Sequence, residues 1–315
     1  MMYVTITVLF FILLIVYFKL ADHFNIIDKP NERSSHSTIT IRGGGVIFIV
    51  AALIALCLDF SGFRLPVLGI LVIGLISFAD DIYTLPNRVR IIFHIIAVTM
   101  MFFYLHVFGL PVYAVLALYV LVIGIINAYN FMDGINGITG LYSLVILGGL
   151  QYVNLQQIHF IDADMIWLPI IACVVFLFFN FRRKAVCFAG DVGSVTIAFW
   201  IITLLLNLIF TTGNWGYMLF LAVYGVDTIL TIIHRLLLRQ NIFKAHRLHF
   251  YQILANERNT PHLLVSVIYS AVQGIIILFI VSEYKQPDRT LLYFGAVLLP
   301  LTLTYIILKP RWMRT

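Results

Sequence analysis

Gly193-Ser-Val-Thr-Ile-Ala-Phe-Trp-Ile-Ile-Thr-Leu-Leu-Leu-Asn-Leu-Ile-Phe210 runs for 18 residues without a charged side chain. A helix of that length reaches about 27 Å, close to the hydrocarbon thickness of a bilayer. Its only polar groups are Ser, Thr and Asn, which can bond within or between helices. Directly before it stands Asp191, between Gly190 and Gly193. One stretch therefore gives both a membrane span and a carboxylate at its mouth.

Ten further apolar runs fall at 3–20, 45–60, 65–79, 91–108, 111–127, 137–153, 164–180, 215–237, 263–282 and 290–308. The whole chain of 315 residues is 62% hydrophobic and 11% charged. Soluble domains run near about 45–50% apolar and about 25% charged. Only a lipid solvent suits this composition, and in lipid the backbone must bond to itself. The expected fold is all-α, a polytopic membrane bundle of about 11 transmembrane helices forming one domain over residues 1–315. The N-terminal run Val4–Leu20 lacks a basic leader and a small-residue cleavage site, so it is read as a retained span. Cys57, Cys173 and Cys187 show no metal-type spacing and are read as packing residues, with no disulfide implied.

Eleven spans put the termini on opposite sides. With the N-terminus outside, 17 of the 20 Lys and Arg fall on the inner side, leaving Arg64, Lys285 and Arg289 outside. The positive-inside rule thus sets the N-terminus out and the C-terminus in. The net charge of +6 is then a matter of topology and anion ligands rather than nucleic acid. The same orientation gathers the polar segments on one face, the cytoplasmic one. No internal repeat is visible, which weighs against a transporter or lipid flippase, the main alternative.

Five inner segments carry chemistry. Asp80-Asp81 closes the third span. Adjacent carboxylates there suit a divalent metal, a carboxyl that keeps its proton, or both. In Asn127-Ala-Tyr-Asn-Phe-Met-Asp-Gly-Ile-Asn-Gly, residues Asn127, Asn130 and Asp133 share a helix face. Gly134, Gly137 and Gly140 are read as letting backbone approach a nucleotide or metal-phosphate ligand. Asp191 is an N-cap with Ser194, or a hard-cation ligand. His246, Arg247 and His249 form an anion grip rather than a zinc site, lacking Cys or acidic neighbours. In the first inner loop, Arg33, His36 and Arg42 with Gly43-Gly44-Gly45 suit phosphate contact. Asp227, inside a span, is functional by default or bonds a neighbouring helix. His94 and His106 are read as core or interface residues. Together these acids, amides and basic groups equip the inner face for phosphoryl transfer between a lipid phosphate and a cytosolic phosphate compound.

Five of these motifs, in this order, resemble the polyprenyl-phosphate N-acetylhexosamine-1-phosphate transferases. They are Pro30-Asn-Glu-Arg-Ser-Ser-His with Arg42-Gly-Gly-Gly, Asp80-Asp81, Asn127 through Gly137, Phe188-Ala-Gly-Asp-Val-Gly-Ser, and the His/Arg loop, spanning about residues 28–257. The resemblance implies transfer of HexNAc-1-phosphate from a UDP-sugar to undecaprenyl phosphate, releasing UMP, with Mg²⁺ (Mn²⁺ tolerated). It implies that Asp191 and Asn130 hold the metal and that Asp80 and Asp81 handle the lipid phosphate. Asn136 would face the uracil, with Phe188 stacking near it, Asp133 supporting the nucleoside end and Asn127 beside them. His246, Arg247 and His249 would grip the sugar phosphate. The implied setting is the bacterial inner membrane, in a cell-envelope glycan pathway such as O-antigen synthesis; a homodimer is compatible with it. Three positions depart from the family pattern: Ile41 for a Pro, Asn136 for an Asp, and His246-Arg247-Leu248-His249 for three consecutive His. The last argues against the peptidoglycan precursor and for a plain or modified UDP-HexNAc.

Overall fold

A computed structural model describes residues 1–28, 39–58, 62–241, 246–283 and 289–313. Arg33 and His36 lie outside the described residues. Each apolar run becomes helical: α1 Met2–His23, α2 Val46–Cys57, α3 Arg64–Tyr83, α4 Asn87–Tyr104, α5 Val112–Met132, α6 Ile138–Gln156, α7 Asp164–Asn180, α8 Gly190–Thr212 and α9 Ala222–Leu237. A 3₁₀ segment, Trp215–Leu221, leads into α9. Then come a short helix α10 Phe250–Gln252, a π turn Ile253–Glu257, α11 His262–Ser282 and α12 Thr290–Trp312.

Among the described residues, nine helical segments are long and apolar enough to cross a membrane. Two shorter apolar helices, α2 and α7, occupy the other two runs. At 12 residues, α2 is about 18 Å long, less than the thickness of a hydrocarbon core. The molecule is a polytopic helical bundle of the kind its composition demands. It is not wholly α-helical: Ile27–Asp28 (β1) and Thr40–Ile41 (β2) pair antiparallel, Ile27 opposite Ile41 and Asp28 opposite Thr40. Ile41 also bridges Cys187 in parallel. Strands of two residues carry no hydrophobic period, so the sequence pattern conceals them.

The bundle is built around α8, which packs on α2, α3, α5 and α6 and is almost entirely buried. The outer faces of α1, α5, α11 and α12 expose large apolar side chains, among them Val120, Leu278, Leu291 and Leu299. That inversion is expected where the solvent is hydrocarbon. The helices alternate in direction, so the C-terminal ends of α3, α5, α7 and α9 and the N-terminal ends of α2, α4, α6 and α8 bring the polar segments together. Where α2 crosses α8, a Cβ on Gly45 would lie 2.0 Å from Gly193 Cα. Only glycine permits that approach. Cys173 and Cys187 are buried, as packing residues should be, whereas Cys57 is exposed. His94 is buried, but His106 is exposed beyond the end of α4 rather than in a core.

Candidate functional site

Asp81 is fully enclosed at the last turn of α3. Its oxygens accept from the backbone N–H of Asp191 (3.0 Å) and of Val192 (2.9 Å). A carboxylate on one helix thus caps the N-terminus of another, where the helix dipole favours negative charge. This removes the N-cap reading of Asp191 and leaves the hard-cation reading standing. The capping is done by Asp81, and Ser194 Oγ donates to Gly190 O (3.1 Å) instead. The Asp191 side chain makes no cap hydrogen bond. Gly190 makes the contact possible: its φ is +72° and a Cβ there would meet Asp81 Oδ2 at 2.5 Å.

Two arginines knit three carboxylates together. Arg42 Nε lies 2.8 Å from Asp81 Oδ1 and its Nη2 is 3.7 Å from Asp191 Oδ1. Arg90, at the start of α4, lies 2.9 Å from Asp80 Oδ2 and 3.3 Å from Asp191 Oδ2. Asp80 also accepts from Leu85 N (2.6 Å). Arg42 is fixed by its backbone: its N–H donates to Ile26 O (3.1 Å) and its carbonyl accepts from Tyr17 Oη (2.7 Å). Burial alone would weaken its hold on the proton, but Asp81 and Asp191 outweigh that and raise its pKa. In the sequence Arg90 reads only as one of the 17 inner-side charges. Nothing in its neighbourhood of the sequence marks it; the turn Thr84–Pro86 folds α4 back beside α3 and delivers it.

Asn130 Nδ2 donates to Ser194 Oγ (3.2 Å), one turn beyond Asp191, which leaves its carbonyl oxygen uncommitted by that bond. Asp133, just past α5, accepts from Thr139 Oγ1 (2.7 Å). Desolvation pushes its carboxyl up to about 7, against the pull of that hydrogen bond. Asn127 Nδ2 bonds its own helix at Ile123 O (2.8 Å). Asn136 is buried, donating to Arg182 O (2.8 Å). Asn180 staples two loops, accepting from Gly137 N (2.7 Å) and donating to Cys187 O (2.8 Å). The Phe188 backbone is tied to both sides of the ribbon segment: its N–H donates to Ile41 O and its carbonyl accepts from Gly44 N, both at 2.8 Å.

The glycines serve the protein rather than a ligand. A Cβ on Gly134 would strike Tyr251 Oη, on Gly137 the Phe181 ring, on Gly43 Tyr17 Oη and on Gly44 Cys187 Sγ. The expected close approach is real, but its partner is packed side chain.

The His/Arg loop docks on the end of α5 that carries Asn130 and Asp133. Tyr251 Oη donates to Phe131 O (3.0 Å), and the Phe131 and His249 rings lie 6.3 Å apart. His246 Nδ1 accepts from Leu248 N (3.2 Å), so its proton sits on Nε2. Burial, with help from His249, Arg235 and Lys309, holds the His246 pKa down at about 3. At neutral pH it offers a neutral donor, not a charge. His249 lies with Nδ1 3.4 Å from Asp227 Oδ1. Asp227 bonds this loop, so it lies with the other polar groups and does not stand alone in mid-membrane.

Among the described residues, no three Asp, Glu, His or Cys side chains converge as a metal cage. Mg²⁺ does not require one; it is commonly held by one or two carboxylates with substrate phosphates completing its shell. Asp81 is saturated and Asp80 is engaged at both oxygens, whereas Asp191, beside the Asp80 carboxyl, makes the two longer arginine contacts and keeps 19% of its side chain exposed. Asp191 with the Asn130 carbonyl oxygen is the hard-oxygen pair that fits such an ion.

Residues 63–209 match the sequence model of glycosyl transferase family 4. The match takes in Asp80, Asp81, Arg90, Asn130, Asp133 and Asp191, and stops short of the His/Arg loop. Among curated proteins none matches the chain.

Proposed function

From the match of residues 63–209 to glycosyl transferase family 4, whose enzymes move a sugar phosphate onto a polyprenyl phosphate in a membrane, we propose that this chain is a member and transfers HexNAc-1-phosphate from a UDP-HexNAc to undecaprenyl phosphate. The products are undecaprenyl-pyrophosphoryl-HexNAc and UMP. One observation carries this reading: Asp191 is presented at a helix N-terminus between two arginines, with three other polar elements converging on the same end of the bundle.

In the proposed reaction an oxygen of the lipid phosphate attacks the phosphorus that bears the sugar. The bond from that phosphorus to the bridging oxygen breaks, and the electron pair leaves on UMP. No base is required, because a phosphate monoester has a second pKa near about 6 and is largely dianionic at neutral pH. The chain's task is positioning and charge neutralisation. Arg42 and Arg90 present planar forks that can exchange carboxylate oxygens for phosphate oxygens. Asp80 and Asp81 keep those forks aimed. Asp191 and Asn130 would hold Mg²⁺, which supplies charge neutralisation to the donor pyrophosphate. His246, through Nε2–H, and Arg247 would contact the sugar phosphate, and Asp133 and Asn136 would serve the nucleoside end. The donor arrives from the cytoplasm if eleven crossings set the N-terminus out and the C-terminus in, as the charge bias argues. A bacterial inner membrane and an envelope glycan pathway suit that arrangement. The transporter alternative loses its one mid-membrane acid, since Asp227 is spent on a loop of the same site.

The test is UMP release by the purified protein in lipid, with undecaprenyl phosphate, Mg²⁺ and a panel of UDP-sugars. Release is expected with at least one UDP-HexNAc and none after Asp191→Ala or with chelator. Failure with every nucleotide sugar, or full activity of the Asp191 variant, contradicts the proposal.

A further inference from the structure

The His/Arg loop has little regular structure of its own, yet it must hold its side chains in place. The structure shows what fixes it. Asp227 lies within α9, 3% exposed. Its Oδ1 accepts from Phe250 N (2.8 Å) and from Thr231 Oγ1 (3.2 Å). Its Oδ2 accepts from Tyr251 N (3.2 Å) and from Tyr269 Oη of α11 (2.8 Å). His249 Nδ1 stands 3.4 Å from Oδ1. Four hydrogen-bond donors from three parts of the chain thus converge on two oxygens, with the His249 ring beside them.

The last helix reinforces this hub. Thr231 also hydrogen-bonds Tyr305 (2.8 Å), and Lys309 Nζ donates to Thr231 Oγ1 (3.3 Å) and to Tyr305 Oη. Lys309 is 2% exposed and has no carboxylate within ion-pair reach among the described residues. Burying an ammonium this way is costly unless its surroundings are arranged for it. The α12 end is therefore built to brace Thr231, and through it Asp227.

We propose that Asp227 is the positioning residue of the His/Arg loop, fixing where His246, Arg247 and His249 stand and so setting donor affinity without touching the donor. The effect on the donor rests on the proposed role of that loop; the positioning does not. Only a carboxylate serves, because both of its oxygens face donors. An amide of the same shape would turn an N–H₂ against a backbone N–H or against Tyr269 Oη.

Hydrogen exchange over residues 246–253 and steady-state kinetics of Asp227→Asn in lipid test this together. Exchange at Phe250 and Tyr251 should quicken about tenfold or more. The KM for the UDP-sugar should rise by about tenfold or more while the KM for lipid phosphate stays as in the parent. Thr231→Val keeps the carboxylate and removes one bond, so it should shift both readouts the same way by a smaller factor; it carries the test if Asp227→Asn fails to fold. Unchanged exchange in both variants overturns the positioning role. Faster exchange with an unchanged donor KM overturns the link to the donor, and with it the loop's proposed contact, while leaving phosphosugar transfer itself standing.

Discussion

At the scale of single residues, Asp81 and Asp191, 110 positions apart in the chain, are distinguished by what surrounds them. Asp81 has both oxygens taken by backbone N–H groups and Arg42, with its side chain fully enclosed. Asp191 holds longer arginine contacts, lies beside the Asp80 carboxyl and remains partly open. Asp81→Asn should therefore act through position. Losing a charge-assisted hydrogen bond costs about 1.5–3 kcal/mol, so kcat/KM should fall by about ten- to a hundredfold and the unfolding midpoint should drop. The pH–rate profile should keep its shape; a displaced acid limb would instead mark Asp81 as a general base. Asp133 gives a second prediction, in stability. Its carboxyl is raised to about 7, so the folded protein keeps a proton that the unfolded chain releases near about pH 4. Its contribution to stability is thus greatest below that pH and is lost as pH rises to about 7, then levels off. Asp133→Asn should remove this part of the slope, read as thermal midpoints of variant and parent from pH 4 to 8. Identical slopes would contradict the account.

At the scale of elements, the mouth of α8 decides the site, and Gly190 decides the mouth. Gly190→Ala should lower the midpoint and abolish turnover, since the new Cβ would meet Asp81 Oδ2 at 2.5 Å. Gly213, at the other end of α8, shares the left-handed conformation but has open space around it. Gly213→Ala should cost only about 1–2 kcal/mol of backbone strain and leave kcat near that of the parent. Equal effects from both would show that strain alone, not the Asp81 contact, matters at Gly190. The same elements show what a sequence does and does not disclose. Long uncharged runs announce helices because lipid demands them, and all of these runs are helical. Asp80, Asp81 and Asp191 stand out because acids at a membrane boundary need a reason. The β1–β2 ribbon that fixes Arg42 has no period to detect. Arg90 looks like any loop charge until α4 folds back on α3. Glycines signal close approach but not what approaches, and in 43–45 and 134–140 the partner is the protein. Lys309 reads as a topology charge, yet it is buried against α9.

At the scale of the whole molecule, alternation of helix direction collects the polar groups at one end of the bundle, and the charge bias predicts that this end faces the cytoplasm. Single cysteines test this after Cys57, which is exposed, is changed to Ser. A cysteine at Arg183 should react with an impermeant thiol reagent only from the cytoplasmic side, and one at His106 only from the opposite side. The reverse pattern would place the site outside and separate it from a cytosolic donor. Assembly of the site from α3, α4, α5, α8 and α9 also means that no one segment holds the activity by itself.

In the proposed reaction a sugar moves together with its phosphate. This is tested most directly with the UDP-HexNAc that supports UMP release, labelled with ³²P at either phosphorus, in vesicles containing undecaprenyl phosphate. The account predicts that the label on the sugar-bearing phosphorus enters the lipid while the label next to uridine leaves as UMP. Both labels remaining in the aqueous phase while sugar enters the lipid, or neither label leaving the donor, would contradict it.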